Sequence, residues 1–141
     1  MNVDSVERGL VIDHIKAGKC MEIYSVLGLD KLDCSVAIIK NARSKKTGKK
    51  DIVKIEDRID IDLDVLGFID PNITINIIEN GVITQKRRLA PPDRITNVIK
   101  CKNPRCITSV EPDLSHVFKR TGLREDGATY RCVYCEQEYD G

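Results

Sequence analysis

The chain contains no tryptophan and only two phenylalanines and four tyrosines, so its core must be built mainly from isoleucine, valine and leucine. No apolar run approaches the roughly 18 residues that a membrane-spanning helix needs. The N-terminus, Met1 to Ile15, is charged and lacks the apolar stretch and small-residue cleavage site of a secretory leader; the expected compartment is the cytoplasm. Neither sign of charge dominates. The net charge is +1, with 15 basic and 14 acidic side chains in residues 1–90 and 8 of each in residues 91–141. A generic nucleic-acid binder carries a strong basic excess, so the balance argues against nucleic acid as a partner. The glycine patterns of phosphate-cradling and dinucleotide-binding loops are missing, as are Ser-His-Asp and metal-hydrolase motifs.

What the chain does have is cysteine in a pattern. Cys101 and Cys106 form a C-x4-C pair, Cys132 and Cys135 a C-x2-C pair, and 25 residues separate the two. Such spacings let two thiolates from one turn reach one ion, and a second pair closes a tetrahedral S4 shell. In a reducing compartment clustered cysteines favour metal over disulfides. One structural Zn2+ is expected, with iron in a rubredoxin-like site as the minor alternative. Four protein ligands leave no position for substrate, so the ion is a staple for folding. Cys20 and Cys34 have no paired spacing and are expected in the core.

Hydrophobic periodicity gives the order β-α-β-β-α-β-β before residue 90. The segment Ser5 to Ile15 is expected as a strand. Cys20, Ile23, Tyr24 and Leu27 fall on one face of a helix that Gly28 would stop. Cys34 to Ile39 is a second strand, Asn41 to Asp51 a polar turn-rich connection, and Ile52 to Glu56 the returning arm. Asp60 to Phe68 is compatible with a short helix. Asn72 to Asn80 alternates with Ile73, Ile75 and Ile77 on one face, and Asn80-Gly81 is a hairpin signal leading into Val82 to Gln85. The expected fold class is α+β: a ferredoxin-like antiparallel sheet with two helices on one face. Pro91-Pro92 marks a boundary, which divides the chain into residues 1–90 and 91–141. The second part, a small all-β zinc domain, is too short for a self-sufficient core and needs the metal.

Among polar residues, Asp13 and His14 end the first strand, and Lys54, Asn76 and Lys86 lie in or beside later ones. A sheet that brought Asp13, Lys54, Asn76 and Lys86 to one end would suit a nucleotide. A carboxylate can hold ribose hydroxyls, and ammonium groups can neutralise phosphates. The run from Lys40 to Lys54 holds seven basic residues but no interleaved aromatics for base stacking, and reads as a solvated hairpin loop.

Four blocks extend this reading: Arg8 to Ile15 (R-G-L-V-I-D-H-I), Lys50 to Glu56 (K-D-I-V-K-I-E), Pro71 to Asn76 (P-N-I-T-I-N) and the C-x-N-x-x-C-I…C-x-Y-C-E frame of the cysteines. Together they resemble the regulatory chain of aspartate carbamoyltransferase, nearly end to end. The resemblance implies a non-catalytic subunit: an allosteric nucleotide-binding domain followed by a zinc domain that contacts the catalytic chain. It implies Asp13 and Lys54 at the nucleoside, His14, Asn76 and Lys86 nearer the phosphates, and Asp4 and Val6 beside the base. It puts the metal on Cys101, Cys106, Cys132 and Cys135, and nominates Asn103, Arg105, Tyr134 and Glu136 for the contact with the catalytic chain. CTP and UTP are expected to inhibit and ATP to activate, with regulatory dimers bridging catalytic trimers. The rival expectations are a stand-alone zinc-ribbon protein that binds nucleic acid and an adaptor without nucleotide response.

Overall fold

The computed structural model describes residues 6–45, 48–124 and 127–140, in two compact units, residues 1–90 and 91–141. Asp4 of the expected base-contacting pair and Lys46 of the basic run lie outside the described residues. In the first unit β1 (Gly9–Lys16), β2 (Val36–Ser44), β3 (Gly48–Ile55), β4 (Thr74–Glu79) and β5 (Val82–Arg88) form one sheet in the order β2-β3-β1-β4-β5. Every neighbouring pair is antiparallel. The helices α1 (Cys20–Val26) and α2 (Leu63–Ile69) share one core cluster with the sheet. It contains Leu10, Ile12 and Ile15 of β1, Val53 and Ile55 of β3, Ile75 and Ile77 of β4, Cys20 and Ile23 of α1, and Leu66 of α2. Both helices therefore cover the same sheet face, as the α+β expectation required.

Local rules account for most of the element ends. The α1 stripe buries Cys20 and Ile23, with Tyr24 and Leu27 packed at its margin. Gly28, at φ 65°, takes the left-handed turn that follows the helix. The Asp62 carboxylate caps α2 by accepting from the N–H groups of Asp64 and Val65 at 3.0 and 3.2 Å. Asn80 and Gly81 both have positive φ, 52° and 76°, the requirement of a tight I′-type hairpin. β4 is buried on both faces (Thr74, Asn76 and Ile78 as well as Ile75 and Ile77), so the sheet face away from the helices is not bare.

Three expectations shift. β1 begins at Gly9, with residues 6–8 outside it, and Ser5, the expected start, lies outside the described residues. The Asn41–Asp51 stretch is mostly strand, because β2 runs on to Ser44 and β3 starts at Gly48. A polar edge hairpin pairs through its backbone, which hydrophobic periodicity does not register. Third, alternation fails at Asp13-His14. β1 pairs Ile12 with Val53 but Ile15 with Asp51, and the register slips between them, with His14 at φ 60°. This is a β-bulge. It lets Ile12 and Ile15, three residues apart, both reach the core with no exposed surface, and it moves Asp13 and His14 together to the opposite face.

The second unit has a three-stranded sheet in the order β6 (Arg94–Thr96), β7 (Val117–Arg124), β8 (Gly127–Cys132), plus a single helical turn, α3 (Ile107–Val110). Its buried apolar residues are Ile95, Phe118 and Tyr130 with Cys106 and Cys132. Tyr130 donates its hydroxyl to the carbonyl of Pro92 at 2.7 Å, and Tyr139 meets the edge of Phe118 at 5.9 Å between ring centres. So few apolar side chains cannot hold about 50 residues without a cross-link. Among the described residues no helix is long and apolar enough to cross a membrane.

Candidate functional site

Register places the polar candidates of the first unit. Residues directly opposite on neighbouring strands share a face. Ala37 pairs with Lys54, Lys54 with Val11, Val11 with Asn76, and Asn76 with Lys86. One row thus crosses all five strands on the face away from the helices. Lys54 and Lys86 are three strand spacings apart in it, about 14 Å at ~4.8 Å per spacing. The adjacent row runs from Asp13 to Thr74 to Arg88. Lys50 joins it from β3, its ammonium 3.0 Å from the Asp13 carboxylate. The basic groups Lys50, Lys54, Lys86 and Arg88 therefore share a face with one carboxylate. Sequence reading assigned Lys54 and Lys86 to this group but not Lys50 or Arg88, which only the strand pairing reveals.

Asp13 is held ionised. Burial raises its carboxyl, but the bond from Lys50, the His14 N–H at 2.6 Å and the nearby charges outweigh that, leaving it below the ordinary 3.8. Beside it lie two unsatisfied atoms. Among the described residues neither His14 Nδ1 nor Asn76 Oδ1, both buried, has a hydrogen-bond partner. Buried polar atoms are nearly always paired, and an orphan costs about 1–3 kcal/mol. Both lie on the cationic face. Val6, the other expected base neighbour, is buried at 5% exposure.

In the second unit the four sulfurs of Cys101, Cys106, Cys132 and Cys135 all lie within 4.8 Å of one another. The Cys101–Cys135 and Cys106–Cys132 separations are 3.6 and 3.7 Å. A regular tetrahedron with Zn–S bonds of about 2.3 Å has edges of about 3.8 Å, so the quartet fits a zinc ion. Cys106 caps α3, Cys132 closes β8, and Cys135 sits in the turn after it. That turn is made by Glu136 at φ 63° and by the Glu136 N–H donating to the Cys132 carbonyl at 2.8 Å. Burial pushes the Cys101 thiol up to about 12, while the Gln137 N–H and the Asn103 side chain overcome burial to bring Cys135 down to about 7.

Of the residues nominated for partner contact, Arg105, Tyr134 and Glu136 are exposed beside the cysteines. Exposed Ile107, Val110 and Val133 flank the same ligands. Asn103 is used internally: its side chain bonds Cys135 and its Oδ1 accepts from the Arg105 N–H at 3.0 Å.

A cationic sheet face with two unpaired buried polar atoms, followed by a four-sulfur cluster, defines a two-part chain. Residues 1–90 match the family model described as aspartate carbamoyltransferase regulatory chain, allosteric domain. Residues 93–141 match that of the regulatory chain's metal binding domain. The chain is 51% identical over 141 residues to the aspartate carbamoyltransferase regulatory chain of Clostridium botulinum (strain Hall), covering 100% of this chain and 95% of that one. It is 50% identical to that of Clostridium acetobutylicum with the same coverage. Against that of Bifidobacterium longum it is 41% identical over 138 residues, 98% of both chains. The chain belongs to the aspartate carbamoyltransferase regulatory chain family; it is a regulatory, non-catalytic polypeptide whose metal-binding domain holds one structural zinc.

Proposed function

We propose that the face carrying Asp13, His14, Lys50, Lys54, Asn76, Lys86 and Arg88 binds nucleoside triphosphate effectors, and that the zinc unit docks on the catalytic chain of aspartate carbamoyltransferase. The observation that carries this reading is the pair of orphaned buried atoms on His14 and Asn76, on a face with four cations. Asp13, kept ionised, accepts from ribose hydroxyls with Lys54 beside the nucleoside. His14, Asn76 and Lys86 lie nearer the phosphates, where Lys86, with Lys50 and Arg88, makes charge-assisted bonds. Asp4 and Val6 lie near the base. CTP and UTP inhibit and ATP activates; the chains pair and bridge catalytic trimers in the cytoplasm, in pyrimidine biosynthesis. The exposed Arg105, Tyr134, Glu136, Ile107 and Val110 supply the docking face, and Asn103 shapes it.

Regulation requires that a nucleotide bind one quaternary state better than the other, typically by about 1–3 kcal/mol. The test is an aspartate saturation curve of the complex reconstituted with its catalytic chain, with and without millimolar CTP or ATP. Opposite shifts of the half-saturation point are expected. An unmoved curve with both nucleotides would refute the regulatory reading and leave docking intact.

Replacing Lys86 by alanine separates phosphate from nucleoside recognition. Loss of one charge-assisted bond, about 1.5–3 kcal/mol, should weaken CTP roughly tenfold to a hundredfold and cytidine hardly at all in calorimetric titrations. Equal weakening of both ligands moves Lys86 out of the phosphate site.

A further inference from the structure

We infer that Thr108 is a positioning residue of the zinc centre, its hydroxyl donating to the Cys106 thiolate and holding that sulfur for the ion. The inference rests on the S4 zinc centre described above and goes beyond its four ligands. Four thiolates around Zn2+ leave a net charge of about −2 in a partly buried setting, which needs hydrogen-bond donors around the sulfurs. Three sulfurs receive backbone N–H groups: Asn103 to Cys101, Tyr134 and Cys135 to Cys132, and Gln137 to Cys135. Cys106 has a side-chain hydroxyl as partner. Thr108 Oγ1 lies 3.1 Å from Cys106 Sγ.

Both partners are secluded from water, Cys106 at 2% and Thr108 at 4% exposure, so solvent does not replace the bond if it is lost. Between a thiol and a hydroxyl either group can donate. A zinc-bound sulfur carries no proton, so in the loaded site the hydroxyl must be the donor. The neighbouring hydroxyl plays a different part: Ser109 Oγ donates to the Asn103 carbonyl at 2.7 Å, tying the start of α3 to the first cysteine loop. Thr108 is β-branched, with few χ1 rotamers open to it, so its hydroxyl gives up little freedom in holding the sulfur.

Valine at 108 keeps the shape and removes the hydroxyl; serine keeps the hydroxyl and removes the methyl group. A packing role would make serine the worse variant, and a donor role makes valine the worse. On the full chain, competition with a chromophoric zinc chelator should show affinity about tenfold to a hundredfold weaker for Thr108→Val and close to wild type for Thr108→Ser. The cobalt-substituted protein gives an independent readout. Its thiolate-to-cobalt charge-transfer band should move to lower energy in the valine variant, where the sulfur has lost its donor, and stay put in the serine variant. If Thr108→Val does not fold, Thr108→Ala is read in its place, with the same band shift expected. A hydroxyl-free variant with wild-type affinity and an unmoved band, or a serine variant worse than valine, would overturn the inference. Wild-type chain carrying one zinc in the same experiments keeps that outcome separate from failure of the zinc centre itself.

Discussion

Changing Cys132 to serine should empty the metal site and unfold residues 91–141 while residues 1–90 stay folded. Cys132 is 1% exposed, ends β8, and stands 3.7 Å from the sulfur of Cys106. A serine hydroxyl at neutral pH does not ionise and is a poor fourth ligand for zinc. What remains is a core of Ile95, Phe118 and Tyr130 beside the other buried cysteine. Metal binding contributes about 10–16 kcal/mol to small zinc modules, far more than those side chains replace. The expected result is loss of zinc by elemental analysis and rapid amide exchange through β6, β7 and β8, with protection retained in β1, β3 and β4. Association with the catalytic chain should vanish too, because Arg105, Tyr134 and Glu136 lose the turns that present them. A zinc-free variant that still co-elutes with the catalytic chain would show that the docking surface does not need the ion.

The second large effect is expected at Asp51, a carboxylate with no exposed surface. It accepts from the backbone N–H groups of Gly18 and Asn41, each at 2.9 Å, and from that of Cys20 at 3.2 Å. One side chain therefore satisfies the entry to α1 and the irregular point of β2, where the register slips between Ile39 and Ala42. Asp51→Ala leaves the buried Cys20 N–H unpaired at about 1–3 kcal/mol, and removes the part-buried bonds from Gly18 and Asn41 at about 1–1.5 kcal/mol each. A loss of roughly 3–6 kcal/mol is expected in urea unfolding followed by amide exchange of residues 1–90. That is a large share of the stability of a domain this size.

The same carboxylate sets an acid limit. Burial raises its pKa, but the N–H donors and the Cys20 thiol outweigh burial, and it lies below its ordinary 3.8. A depressed folded-state value means the stabilisation is complete above the unfolded value and disappears as pH falls through the folded one. The stability of residues 1–90 should hold down to about pH 4 and fall steeply below it, with Asp51→Asn flattening that slope. An unchanged acid slope in the asparagine variant would assign the titration to other carboxylates.

Much of this was legible from local chemistry. Asn80-Gly81 specified its hairpin because both residues tolerate positive φ. The Cys20–Leu27 stripe specified α1, and the paired cysteine spacings specified the metal shell before any fold was known. The placement of Asp13 and His14 was not legible, because a bulge belongs to two strands and no single segment encodes the register slip. Nor was the length of the β2–β3 hairpin, whose polar residues are held by backbone pairing.

Sequence by itself determined the element order, the sulfur ligands and the family, since each depends on residue types at fixed spacing along one chain. Tertiary structure decided which cations share a face, which buried polar atoms go unpaired, and which hydroxyl serves a sulfur. Those depend on distances across strands and between turns, where positions far apart in the chain become neighbours.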